Sequence, residues 1–370
     1  MKNYFILIAA VLLITASVGG HYLTENGYLS IGGNTTITDM ANRTVTVPSP
    51  VNHVLTTSPT TTIMVYMIAP EKLLAFNYQT TAEEQAYMPD QYKSLPSVGG
   101  QYGSQTADYE QFISMNPDVI FDSVTTSDSP SEDASTVATL NAVQQKLGSI
   151  PAVGVADTSN VTTFSSSIEF LGKILGKADQ AKKLNDFNSK VQNEVKNVVS
   201  NIPDSQKVTV YYARGSNGLQ TSPSGSSHTQ LIELCGGKNI INAQTGGEGM
   251  ISVSMEQVLK GNPDVIITSD PTFYANVYKT SSWSGITAVK NKRVYLAPQG
   301  PFKWFGQPDG ANMIIGIPWT AKILYPDKFK SLDLKGEVKE FYSEFYHYDL
   351  SDDNVTKLLE GSGMTSSMIN

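Results

Sequence analysis

Residues Glu110–Ile120 read EQFISMNPDVI, and residues Glu256–Ile266 read EQVLKGNPDVI. Seven of eleven positions are identical, at a separation of 146 residues. The first copy opens with helical spacing, Phe112, Ile113 and Met115 being apolar. Asn-Pro-Asp then breaks the helix, because Pro disfavours helical geometry in the residue before it. A short, continuously apolar run follows in each copy, Val119–Phe121 and Val265–Ile267. Such runs mark strands buried on both faces. Helix, tight turn and buried strand form the αβ half of a parallel α/β unit. Turn chemistry accounts for Pro and Asp, but not for the leading Glu-Gln. The reading is two α/β lobes with this unit in corresponding places.

Between the copies, Leu184, Phe187, Val191, Val195, Val198 and Ile202 form a one-sided helical stripe. A helix over residues 178–202 would be about 37 Å long, enough to join two lobes. Pro203–Asp204 ends it, and KVTVYYAR opens the second lobe as a strand. Upstream, TITDMANRTVTVP (Thr36–Pro48) reads as a hairpin turning at Ala41–Arg43. His53–Thr56 suits a short strand, and Ser58–Pro59 starts a helix that ends before Pro70. The tail from about Glu337 reads as terminal helices. The expected boundaries are a leader and spacer over 1–34, a lobe over 35–163, a bridging segment over 164–203 and a second lobe over 204–370.

The 370-residue chain is long enough for two domains. Only 16% of residues are charged, against about 25% in an average protein. The formal charge of −8, with Lys and Arg scattered, excludes a nucleic-acid binder, which needs a basic face. One cysteine, Cys235, rules out an internal disulfide. The four histidines show no metal-binding spacing. Lys2 precedes a 15-residue apolar run, Tyr4–Val18, short for a membrane span and suited to a signal peptide. An uncleaved anchor extending through Leu23 is the alternative. Either way the body lies outside the cytoplasmic membrane, and the sequons at Asn34, Asn42, Asn160 and Asn354 are compatible with that.

The order of these pieces resembles the class III substrate-binding proteins of ABC importers, which serve iron–siderophores, haem and cobalamin. The resemblance runs from about Ile37 to Leu359. It rests on ITDMANRTVTVP, the two repeated phrases, IELCGGKNI (Ile232–Ile240), WSGITAVKNKRVY (Trp283–Tyr295) and EFYSEFYHYDL (Glu340–Leu350). It implies two Rossmann-like lobes with parallel sheets, joined by one long rigid helix, around a ligand cleft. It also implies partners: a permease dimer with its ATPase, and a small-molecule ligand. Glu110 and Glu256 match the family's paired acidic docking positions. A twofold permease would explain why the Glu is repeated. No resident cofactor is expected.

Ligand contacts are expected from loops that follow strands. Thr57, Ser58, Pro59 and Thr60 stand at a helix start, where hydroxyls and free N–H groups suit an oxygen-rich or anionic ligand. Capping by Ser58 is equally expected there. Tyr102 and Gly103 belong to a glycine-rich loop, and Arg214 and Ser216 follow the KVTVYYAR strand. Arg214 suits a ligand carboxylate or oxyanion, or else a structural ion pair. Phe302, Lys303 and Trp304 lie in a Gly/Pro-bounded loop, where exposed aromatics suit recognition. His228 reads first as a helix-face packing residue. An iron complex or corrinoid ranks first as ligand, and a small oxoanion such as molybdate second. No nucleophile-elbow, P-loop or dinucleotide motif appears in context, so an enzyme is not expected. A cell-surface adhesin is the remaining rival.

Overall fold

The computed structural model describes residues 29–31, 33–101, 106–124, 130–156, 158–242 and 249–369. The leader, Tyr102 and Gly103 lie outside them. Strands β1 (Leu29–Ile31), β2 (Asn34–Thr38) and β3 (Thr44–Pro48) form the expected antiparallel meander, with Ile37 opposite Val45. Its turn is held by Asp39. That carboxylate accepts the amides of Ala41 and Arg43 at 3.1 and 2.9 Å and pairs with the Arg43 guanidinium at 2.7 Å.

The first lobe has β4 (Val54–Thr56), α1 (Pro59–Ile68), α2 (Tyr109–Ser114), β5 (Val119–Val124), α3 (Pro130–Leu147) and β6 (Ala152–Ala156). Its sheet is parallel, in the order β4-β5-β6. Two helices follow, α4 (Phe164–Ile174) and α5 (Ala178–Val199). The second lobe contains β7 (Thr209–Ala213), β8 (Gln220–Thr221), α6 (Gln230–Leu234), β9 (Lys238–Asn239), β10 (Ile251–Ser252), α7 (Met255–Gly261), β11 (Val265–Thr268), α8 (Pro271–Asn276) and β12 (Val294–Leu296). Its main sheet is parallel, in the order β12-β11-β7-β9. Helices α9 (Gly316–Leu324), α10 (Leu334–Phe345) and α11 (Asp352–Gly361) close the chain. The two sheets, each helix-covered, confirm the two-lobe α/β fold.

The repeated phrase has one structural job in both lobes. Asn116 and Asn262 take left-handed backbone, φ 50° and 37°, a region Asn tolerates better than most residues. The Pro follows, and the Asp then anchors the neighbouring strand. Asp118 accepts the amides of Asn52 and His53, at 2.7 and 2.9 Å, beside β4. Asp264 accepts the amide of Thr209 at 2.9 Å and its hydroxyl at 2.7 Å, at the start of β7. Thus Asn-Pro-Asp sets where two parallel strands begin, and β5 and β11 occupy matching interior places.

Helix α5 is 22 residues long and ends at Val199 rather than Ile202. It buries Ala181, Leu184, Phe187, Val191 and Val195. Gly172 of α4 lets it approach closely: a Cβ there would lie 2.3 Å from that of Ala181. On the other side Phe187 meets Phe341 and Phe345 of α10, with ring centroids 5.2 and 5.8 Å apart. One apolar core runs from Val54 and Val119 through α5 to Val210 and Val265. The lobes therefore share an interior along this helix.

At the α5–α10 contact, Lys190 lies 3.1 Å from Glu340 and 3.9 Å from Glu337. The Glu337 side chain is only 6% exposed. Burial, then the hydrogen bond and charge of Glu194, push its carboxyl up to about 8. Its folded pKa thus lies above the unfolded one, so the folded state holds the extra proton between them. Stability from this group is complete below the usual glutamate pKa and is lost as pH rises through about 8. Urea unfolding should show a decline on the order of 2 kcal/mol between pH 6 and 9. Glu337→Gln should flatten that decline; an unchanged slope would contradict the assignment.

Candidate ligand cleft and docking face

The parallel strands of both lobes deliver their carboxyl ends to one cleft, the place where open α/β sheets bind ligands. A cavity of about 840 Å³ lies there. Ser58, Pro59, Thr60 and Ser123 line one side, and His228, Lys303, Gln307 and Asp309 the other. Ser58 caps α1: its Oγ accepts the Thr61 amide at 3.4 Å. The same Oγ lies 3.0 Å from the hydroxyls of both Thr60 and Thr61. Thr60 continues to Thr158 at 2.9 Å, and Thr158 to Ser123 at 2.9 Å. Each hydroxyl can give or accept, so this chain can turn its protons to suit an anion. Capping and ligand presentation coexist at Ser58. Thr57 instead turns away and donates to buried Asp122, whose carboxyl is raised by burial, against the lowering effects of Thr57 and Arg43.

Arg214 leaves the end of β7. Its Nη2 donates to Gln307 Oε1, and its guanidinium carbon lies 5.8 Å from the Tyr212 ring centroid. Its Nη1 is buried without a hydrogen-bond partner among the described residues. Neither Arg214 nor Lys303 has a carboxylate within ion-pair distance among those residues. The two acids of the cavity lining among the described residues accept hydrogen bonds from the protein. Glu84 accepts the Thr81 amide at 2.7 Å in a capping box. Asp309 accepts from Ser227 and sits 3.5 Å from His228 Nδ1. Burial lowers the His228 pKa and Arg214 adds to this, against Asp309 and a backbone bond to Gly306. The ring is therefore held neutral at neutral pH. Its Nε2 is 3.3 Å from Gln307 Nε2.

Several sequence expectations need correction. Phe302 and Trp304 are fully buried, not exposed recognition residues. Phe302 packs against Tyr66, Phe76 and Tyr346, at 5.2, 6.3 and 5.7 Å between ring centroids. Trp304 meets Tyr342 at 6.2 Å. Asn312, itself buried, bonds the carbonyls of Lys303 and Pro308 and pins this loop inward. Of the three, only Lys303 reaches the cavity. Ser216 sits exposed on the turn after Arg214; both lie outside the cavity lining, which Arg214 reaches only through its bond to Gln307. His228, read as helix packing, lines the cleft instead. Ser123, near the end of β5, and Gln307 and Asp309, in the loop after β12, fall where contacts are expected, but no local motif singles out these three or Thr158. Glu110 and Glu256 are exposed on α2 and α7, at the second helical position in each. They stand on separate lobes, as expected.

The periplasmic binding protein family matches residues 54–301. The molybdate-binding protein MolA of Haemophilus influenzae is 26% identical over 345 residues, covering 87% of this chain and 93% of that protein. The ABC transporter substrate-binding lipoprotein YvrC of Bacillus subtilis is 26% identical over 306 residues, 80% of this chain and 87% of that one. A solved ABC transporter solute binding protein from Sulfurospirillum deleyianum superposes with a TM-score of 0.78 at 29% identity, covering 88% of this chain and 99% of that chain. With a family match over the larger part of its length, two parallel-sheet lobes and a cleft at their strand ends, the chain belongs to the periplasmic binding protein family.

Proposed function

We propose that this substrate-binding component of an ABC transporter captures a small tetrahedral oxyanion of the molybdate or tungstate class. The observation that carries the reading is the set of free donors. Lys303 lines the cavity with the hydroxyls of Ser58 and Thr60, and Arg214, bonded to the cavity residue Gln307, keeps one nitrogen unbonded; neither cation has an acid partner among the described residues. Hydrogen bonds to an ion are worth about 1.5–3 kcal/mol each, and a guanidinium fork suits an oxyanion. The likeness to a protein named for molybdate supports this choice. Burial of Phe302 and Trp304 removes two of the aromatic walls expected for a corrinoid.

A larger anionic iron chelate is the second reading. A cavity of about 840 Å³ is the size that takes a drug-sized ligand, more room than one oxyanion fills. Both ligands would use the same cations. After capture, Glu110 and Glu256 would seat the lobes on a permease dimer coupled to its ATPase. The segment before residue 29 would deliver the body outside the cytoplasmic membrane, cleaved or as an anchor. Among the described residues no helix is long and apolar enough to cross a membrane.

Calorimetry and thermal unfolding with molybdate, tungstate, sulfate, phosphate, a ferric siderophore, haem and cobalamin separate these readings. Molybdate and tungstate should bind saturably at one site without turnover. At a hundred times the dissociation constant, the true ligand should add about 2.7 kcal/mol of stability. Stabilisation by haem or a ferric chelate, with molybdate silent, would move the assignment to the second reading.

A further inference from the structure

We propose that the docking face already read at Glu110 and Glu256 has an apolar half in each lobe, Ile113 beside Glu110 and Leu259 beside Glu256. The partner would be a twofold membrane dimer presenting a cation beside an apolar pocket on each half. The inference rests on the importer reading above and deepens its docking step.

The two patches share one register. Asp108 caps α2 and Ser254 caps α7, which places Glu at the second helical position and the aliphatic residue at the fifth. Residues three apart lie on the same helix face. The residue between, Phe112 or Val258, is fully buried and locks the opposite face onto its own lobe. Ile113 is 39% exposed and Leu259 46% exposed. The other exposed large apolar side chains among the described residues are Met250, which lines the cleft, and Tyr278. Capping, turn and strand anchoring account for the rest of the repeated phrase, but nothing in the fold requires an exposed aliphatic in either copy.

Chemistry identifies the partner. Neither Glu forms an ion pair among the described residues, and the chain carries a formal charge of −8, so a basic surface complements it. Two equal patches on two lobes call for two equal receptors, hence a twofold dimer. A surface ion pair contributes only about 0–1 kcal/mol and is screened by salt. The aliphatic half supplies attraction that salt does not screen.

The test is docking of purified protein, loaded with molybdate, onto nanodiscs carrying its permease and ATPase. Ile113→Ser and Leu259→Ser should each weaken docking about fivefold, and the pair about twentyfold. These losses should persist at high salt, where Glu110→Gln/Glu256→Gln should matter least. Molybdate affinity and the unfolding midpoint should be unchanged in all variants, and Tyr278→Ser should dock normally. Normal docking of the double-serine variant, with the double-glutamine variant defective, would overturn this inference and leave the importer reading standing. Wild-type protein that binds molybdate but never docks would remove both. A dimer in sedimentation that the serine pair dissolves, with docking intact, would assign the face to a second copy of this chain and overturn the proposal.

Discussion

Arg214→Ala is expected to weaken molybdate binding about a hundredfold while leaving the fold intact. The guanidinium meets the cleft through Gln307, to which one nitrogen is bonded, and the other is buried without a partner among the described residues. A buried donor left unsatisfied costs about 1–3 kcal/mol, and an oxyanion is the group that would relieve it. Two charge-assisted bonds lost should amount to about 3 kcal/mol, roughly two orders of magnitude in Kd. Arg214→Lys keeps the charge and loses the planar fork, so a loss of about tenfold is expected. Because Arg214 holds no ion pair among the described residues, its removal should change stability by less than about 1 kcal/mol. Calorimetric titration and urea unfolding of the same samples check both halves. Unchanged affinity in the alanine variant would end the oxyanion assignment. A large loss of stability would show a structural role instead.

The parts of the fold carried by local pattern were legible. Asn-Pro-Asp marked both helix ends and strand starts, since its work depends on neighbours along the chain and on one adjacent strand. The stripe from Leu184 to Val195 announced the long helix, although its end came at Val199 while Ile202 stayed buried beyond it. Ser58 and Pro59 announced the start of α1. The cleft was legible only in part. His228 and Gln307 are 79 residues apart and meet only through tertiary structure. Thr57 looked equivalent to Ser58 and Thr60, yet the end of β4 aims its hydroxyl at Asp122. The loop with Phe302 and Trp304 misled for a physical reason. Gly and Pro mark a chain reversal, and reversals are usually at the surface. Here Asn312 satisfies the loop carbonyls from within, so the loop can be buried with its rings.

That burial leads to the second large effect. Phe302→Ala is expected to cost about 3–5 kcal/mol, the range for deleting a buried aromatic ring. Phe302 follows β12 in the second lobe, but its ring edges onto Tyr66 of α1 and Phe76, both in the first, and onto Tyr346 after α10. Edge-to-face pairs of this kind add about 0.5–1.5 kcal/mol beyond area. The ring therefore ties the lobes together on the same side as α5. Removing it should do more than destabilise: it should free the lobes to move. X-ray scattering of the wild-type protein should show nearly the same radius of gyration with and without ligand, because two lobes sharing one core have little room to close. The alanine variant should show a larger free-state radius and a greater contraction on binding. Its affinity should fall, since part of the binding energy must then close the cleft. A destabilisation under about 1 kcal/mol, or a variant with wild-type scattering in both states, would mean that α5 alone holds the lobes and that Phe302 only fills space.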